Sequence, residues 1–544
     1  MTLKIYDTTL RDGGQAAEVS LSKSDHIALF KVLDSFHLDY IEVGWPTSAG
    51  GDNGMKEIFK ECLNSAKYSK VVAFGSTSKD KNPENDQRLN DVLDAGAQTI
   101  CLFGKTWIPH ADLQLKITPE ENLEVIGRSV DYIRKKGRET IYDAEHFFDG
   151  FKDNKEYALE TLVRAARAGA QTLVLCDTNG GTMTDDFKEI VREIFERLEE
   201  KGIDTPLGVH THNDCGLALA NGLSVLKYIK QIQGTMHGKG ERAGNMSLAA
   251  FLGNYSIKMG NPVRVDIQRM KEVYESSCRL SGIAPDLTHP FVGKLAFAHR
   301  GGVHVDALEK GGENGGFLYQ HMQPELVGNS QISLLTTLGG KAGVIKAARE
   351  HGYKFEKGDS KLLDAIGPLF EHLRKMEDEG AQIAWLPAMH FLLFAEHFDG
   401  LPKLLDIKDS EVYTSKANGK ERSNFYCKGT ILKDSREMRF DEFEDIVTVP
   451  DDGPIRAVDL LLKKVVGERF PIVKNLEIAD YHTSIAKSNG AASTVRTVID
   501  FKNGELFETS GVDKNKVYSG IAALEAGYNY VLTKALKEGK LLKA

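Results

Sequence analysis

The segment H-T-H-N-D places His210 and His212 two residues apart at the end of an apolar run. Alternate side chains of a β-strand share a face, so this spacing aims two imidazoles at one point, where a single metal ion could be held. Far upstream, T-L-R-D-G adds Arg11 and Asp12, a fixed cation and a third ligand. Two imidazoles and a carboxylate leave positions open for water or substrate, as a catalytic site requires. Zn2+, Mn2+ and Mg2+ are all candidates, because nitrogen ligands soften the site while open oxygen positions suit harder ions. Arg11 would then donate to a keto oxygen as it becomes an alkoxide; the competing reading is a salt bridge to Asp12. The two side chains can face one substrate only if the strand has ended or bulged, and Gly13-Gly14 permits that.

Other candidates surround this constellation. Glu145, in D-A-E-H, stands at a predicted strand end as a proton-handling group or a structural partner of Arg11. In D-T-N-G, Thr178 and Asn179 could donate to substrate oxygens, whereas Asp177 could close a turn. Asn245, in G-E-R-A-G-N, caps a helix or completes the metal environment. Lys105 and His110, in F-G-K-T-W-I-P-H, could meet an anionic substrate, with Trp107 as a hydrophobic plug. His304, in G-G-V-H-V, is a base for the carbon partner of an activated ketone if its segment folds over a catalytic mouth. His299 and Tyr319 lack a pattern that separates them from surface packing.

The elements that must position these residues alternate regularly. Apolar runs at 4–8, 40–44, 71–74, 99–103, 140–145, 172–176, 207–211 and 232–236 are each followed by a helical pattern, at 23–36, 55–65, 86–95, 119–135, 155–168, 184–200, 217–228 and 246–257. Repeated units of this kind predict a parallel sheet covered by helices. Eight of them, with no G-x-G-x-x-G after the first strand, favour a (β/α)8 TIM barrel over a doubly wound sheet. The polar clusters fall where the strands end, which is where such a barrel carries its chemistry. The predicted organisation is a catalytic barrel at 1–275, an arm at 276–330 contributing to the active site, a helical accessory region at 331–405, and an α+β module at 406–544 suited to binding or association.

With 544 residues, 41% hydrophobic and 27% charged, the chain reads as a soluble multidomain protein. A net charge of -9 argues against a nucleic-acid scaffold. No apolar stretch approaches the ~20 residues of a membrane helix. Six scattered cysteines without a C-x-x-C pair, and an amino terminus without an export pattern, predict a reducing, cytoplasmic location.

T-L-R-D-G-G-Q, H-T-H-N-D-C-G-L-A-L-A-N and G-K-G-E-R-A-G-N-M-S-L resemble the 2-isopropylmalate, homocitrate and citramalate synthase family, across roughly 3–330. The segment after 410 resembles that family's regulatory domain. The resemblance implies Asp12, His210 and His212 as metal ligands with Asn245 near the ion, Arg11 polarising the keto group, and Glu145 and Thr178 as active-site contacts. It also implies that His304 and Tyr319 lie on an arm reaching the neighbouring subunit's barrel, hence a homodimer. F-G-K-T-W and D-A-E-H-F-F-D-G resemble the citramalate synthase branch, with Thr106 and the I-P after Trp107 departing from its pattern. That branch implies condensation of pyruvate with acetyl-CoA and a place in isoleucine biosynthesis, with isoleucine as effector. Alternatives are 2-isopropylmalate or homocitrate synthesis, a metal-dependent lyase, and an inactive amino-acid-sensing protein.

Overall fold

A computed structural model describes residues 3–47, 54–79, 82–299, 320–332, 334–355, 360–417, 419–450, 453–490 and 492–541. His304 and Tyr319 lie outside the described residues. The chain divides into two compact units, one comprising 1–297 with 322–331, the other 298–321 with 332–544.

The first unit is the eight-stranded closed parallel barrel that the alternation predicts: β1 (Lys4–Asp7), β2 (Tyr40–Gly44), β3 (Lys70–Ser76), β4 (Thr99–Lys105), β5 (Glu139–Glu145), β6 (Thr172–Asp177), β7 (Leu207–Thr211) and β8 (Gln231–Gly234). Closure comes from β1 on β8, with Ile5 opposite Ile232 and Tyr6 opposite Gln233. The strands are apolar on both faces because each face is covered. Ile5, Ile100 and Leu102 pack outward under the helices, while Tyr6, Cys101 and Val174 fill the barrel interior.

Local chemistry starts the surrounding helices. In α1 (Lys23–Asp34) and α4 (Pro119–Lys135), Ser22 with Asp25 and Thr118 with Glu121 form reciprocal capping boxes. The ring continues with α2 (Met55–Ser65) and α3 (Gln87–Asp94). A short helix, α5 (Phe147–Asp153), precedes α6 (Lys155–Arg167) where the sequence suggested only a polar cluster; burial of Phe147, Phe148 and Phe151 drives it. After α7 (Thr184–Glu200), α8 spans Ala218–Ser224, shorter than the expected 217–228. Asn221 and Gly222 are poor helix formers, and Asn221 instead donates from Nδ2 to the Thr182 carbonyl. β8 stops at Gly234 because the chain doubles back: Thr235 N–H donates to Met246 O, and a Cβ on Gly234 would lie 2.5 Å from that oxygen. The expected helix at 246–257 is α9 (Leu248–Leu252) followed by a wider π-type turn over Gly253–Lys258. α10 (Met270–Leu280) completes the unit and packs on α1.

In the second unit, α11 (Gly340–Glu350), α12 (Ser360–Glu379) and α13 (Pro387–Asp399) share an apolar cluster that includes Leu369, Leu373, Leu393 and Phe394. β9 (Leu405–Ala417), β10 (Lys420–Asp434) and β11 (Arg439–Pro450) form one antiparallel sheet, and β12 (Glu477–Lys487), β13 (Thr494–Asn503) and β14 (Glu505–Asp513) another. Helices α14 (Pro454–Arg469) and α15 (Lys516–Lys537) cover them over a common core. α15 also packs on α13.

Candidate active site

β1 ends at Asp7, and the next residues turn back so that Asp12 N–H donates to Thr8 O at 2.9 Å. This early end, rather than a bulge, brings Arg11 and Asp12 to one side of the barrel mouth. Gly13 permits the turn's close approach to the loop after β8: a Cβ there would lie 3.0 Å from His237 Cε1.

On β7 and in the residue that follows it, Val209 and Thr211 point to the helices while His210 and His212 share the barrel side, as period-two geometry requires. His210 Nε2 lies 3.2 Å from Asp12 Oδ2 and 3.3 Å from His212 Nε2. Asp12 Oδ2 is 3.8 Å from His212 Nε2, and all three residues are buried. Burial opposes ionisation of Asp12, yet Arg11 and the imidazoles override it and hold the carboxyl well below its ordinary range. Burial likewise disfavours charging His210, but Asp12 reverses the balance and raises it. His212 is pushed down to about 3 by burial and by His210.

These residues suit a metal ion. Bonds of ~2.0–2.1 Å in tetrahedral geometry set nitrogen ligands about 3.3 Å apart, which is the observed separation of the two Nε2 atoms. Asp12 Oδ1 is buried with no hydrogen-bond partner among the described residues. So are both amide atoms of Asn245, which is bridged to His212 through the backbone. Gly240 leaves the Asn245 amide room, since a Cβ there would lie 2.0 Å from Nδ2. His210 is oriented from behind: its Nδ1 is 2.9 Å from Gln233 Oε1, and Gln233 Nε2 donates to Asp143 Oδ1 at 3.1 Å. The amide acceptor places the proton on Nδ1 and frees Nε2 as a ligand. Asp143 is pushed up to about 6 by burial and the nearby Glu42.

Arg11 does not pair with Glu145. Its Nε donates to Glu42 Oε2 at 2.7 Å, Nη1 sits 3.3 Å from Asp12 Oδ2, and the guanidinium lies 3.9 Å over the Phe74 ring. Glu42 is fully buried and also accepts from Tyr6 OH and Thr8 Oγ1. Glu145 pairs instead with Lys105 at 2.5 Å, across the register pair that ends β4 and β5. Thr178 Oγ1 accepts from His146 N–H at 2.8 Å, leaving its own proton available. Asn179 donates to Asp149, and Asp177 closes its turn by accepting from Thr182. His110 packs edge-on to His146, ring centroids 4.3 Å apart, and near Trp107.

A cavity of about 400 Å³ lies over this cluster. Arg11, Asp12, Glu145, Thr178, His210 and His212 line it, whereas Lys105 and His110 are not among its lining residues. Its apolar side carries Trp45, Phe74 and Phe103, with Phe74 and Phe103 stacked at 5.2 Å and Trp45 edge-on to both. Sequence reasoning missed Glu42, Asp143 and Gln233. An acidic or amide residue inside Y-I-E-V-G, I-Y-D-A-E or Q-I-Q-G was the available signal, because a strand covered on both faces has no solvent to receive it.

A closed β/α barrel with a carboxylate, two imidazoles and a buried arginine at its mouth defines an HMGL-like barrel enzyme, and residues 2–276 match that family. Residues 291–380 match the homocitrate synthase post-HMGL domain-like family. The chain is 35% identical to an (R)-citramalate synthase of Geobacter sulfurreducens over 98% of both chains. It is 34% identical to one from Aquifex aeolicus over 99% of both. A 2-isopropylmalate synthase of Pseudoalteromonas atlantica is 28% identical, over 96% of this chain and 94% of its own. The chain belongs to the (R)-citramalate synthase family.

Proposed function

We propose that this chain condenses acetyl-CoA with pyruvate and water, releasing (R)-citramalate and CoA, as an acyltransferase of branched-chain amino-acid synthesis in the cytoplasm. The reading is carried by the convergence of Asp12, His210, His212 and Arg11 on one cavity, in a chain that aligns end to end with citramalate synthases.

Asp12, His210 and His212 would hold a divalent cation, Mn2+, Mg2+ or Zn2+, with Asn245 beside it. Bound there, the cation supplies Lewis-acid polarisation of the 2-oxo acid carbonyl. Arg11, fixed by Glu42, donates to the keto oxygen and stabilises the charge that grows on it as the new carbon–carbon bond forms. Thr178 can donate its hydroxyl proton to the substrate carboxylate, and Glu145 keeps the neighbouring Lys105 ammonium paired, so the wall carries no unopposed charge. Neither Lys105 nor His110 lines the cavity, so their proposed contact with substrate is indirect. His304, with Tyr319, is proposed as the base for the acetyl methyl proton, on an arm exchanged within a homodimer. That proton leaves as the methyl carbon attacks the keto carbon; water then cleaves the thioester and CoA departs as the thiol.

The Trp45, Phe74 and Phe103 rings form the apolar side of the cavity, against which the alkyl group of the 2-oxo acid would rest, and pyruvate is the preferred substrate on this reading. CoA release by purified protein should be greatest with pyruvate and weak with 2-oxoisovalerate and 2-oxoglutarate. Turnover with 2-oxoisovalerate but not pyruvate would overturn the assignment. Residues 406–544 are proposed to bind isoleucine as end-product effector, read as inhibition of pyruvate-dependent CoA release.

A further inference from the structure

A second cluster of metal-ligating side chains lies in the carboxyl-terminal unit, outside the barrel. His372 is on α12, and Glu396 and His397 are on α13. His372 Nδ1 stands 2.8 Å from His397 Nε2, and one ligand atom from each of the three residues lies within 4.8 Å of the others. Packing sets this meeting, because Leu369 and Leu373 on α12 share an apolar cluster with Leu393 and Phe394 on α13. The two histidines are half-buried and Glu396 is exposed.

We propose that His372, Glu396 and His397 form a second metal site, for a borderline divalent cation such as Zn2+, Ni2+ or Co2+, that staples α12 to α13. Two imidazoles among three protein ligands suit borderline ions such as Zn2+, Ni2+ and Co2+. Three protein ligands leave a fourth position, and the exposed carboxylate keeps it open to solvent. A tetrahedral ion would ask the two nitrogens to part by about half an ångström from their hydrogen-bonded separation, within the reach of small side-chain rotations. The competing arrangement is an imidazole–imidazole hydrogen bond, in which Glu396 has no part.

The test is metal stoichiometry of the full-length chain, stripped with a chelator and dialysed against buffered Zn2+. Two ions per chain are expected for the unaltered protein, one for H372Q, one for H397N and one for D12A. D12A should keep a thermal transition that rises with Zn2+, and D12A/H372Q should not, because only binding to the native state stabilises it. E396Q, altered on the exposed side, should fold normally and bind the second ion at least about 10-fold more weakly. The proposal is overturned if H372Q, H397N and E396Q bind as much Zn2+, and as tightly, as the unaltered chain. A single ion lost with D12A alone also overturns it, whereas a single ion lost with H372Q alone supports it and counts against the barrel site.

Discussion

Arg11 is placed to serve both stability and the proposed chemistry. Its guanidinium neutralises Glu42, which is fully buried, while Asp12 and the cavity share its remaining donors. R11Q should therefore lower kcat by about 10²–10³-fold, the usual cost of removing a donor to a developing oxyanion. It should also destabilise the barrel by about 3–5 kcal/mol, because a buried carboxylate loses its partner. R11Q/E42Q should recover most of the stability, measured by urea unfolding, and none of the rate. Recovery of both would mean that Arg11 is structural only. Gln233 works at one remove, holding the His210 tautomer. Q233L should weaken metal binding about 10–100-fold with little change in fold, read by competition with a chelator. These supporting residues were hard to see in the sequence, because a single Glu or Gln in a strand does not reveal its partner; Glu42 and Arg11 are 31 positions apart.

At the scale of elements, close approaches hold the loops where the site needs them. A Cβ on Gly150 would lie 2.3 Å from the Thr106 carbonyl oxygen, so α5 rests directly on the loop after β4. G150A should cost about 1–3 kcal/mol by overpacking against backbone that cannot yield, and should displace the loop bearing Trp107 and His110. The loop after β8 carries a titration of its own. His237 is buried and neutral, accepting from Lys239 N–H, and burial together with the Lys239 charge lowers it to about 3. Its unfolded value is about 6.5, so its contribution to stability is full above that pH and is lost as pH falls toward 3, at up to about 1.4 kcal/mol per pH unit. H237N, which keeps an acceptor but cannot titrate, should show a shallower fall of the urea midpoint between pH 6.5 and 4.5. An unchanged slope would remove His237 from the acid response. The strands and long helices were legible because apolar runs and amphipathic periods are local signals. α5 and the shortened α8 were not, since burial of Phe147 and the bond from Asn221 to Thr182 depend on distant chain.

For the whole molecule, the two units raise the question of what can be removed. In the second unit, Phe391 of α13 lies edge-on to Tyr530 of α15 at 5.4 Å, and Lys537 donates to Asp399 at 2.6 Å. A chain ending near residue 405 would leave this face of α13 uncovered. It should lose helical circular dichroism beyond the share of the deleted residues and unfold at lower temperature than the full chain. If it kept the full helical signal of α11, α12 and α13, those helices would not depend on α15. Loss of isoleucine inhibition on such a truncation would therefore mix regulation with unfolding, and point changes within 406–544 separate the two.

The imidazole pair at the end of β7, the carboxylate and guanidinium after β1, and the eightfold alternation were readable from the chain alone, because each is a matter of residue type and period along one segment. Folding had to decide that β1 ends at Asp7, that Glu42 rather than Glu145 faces Arg11, and that Lys105 pairs with Glu145 without lining the cavity. Those outcomes are distances between segments remote in sequence, and they follow from which side chains the closed barrel leaves without solvent and therefore obliges to pair.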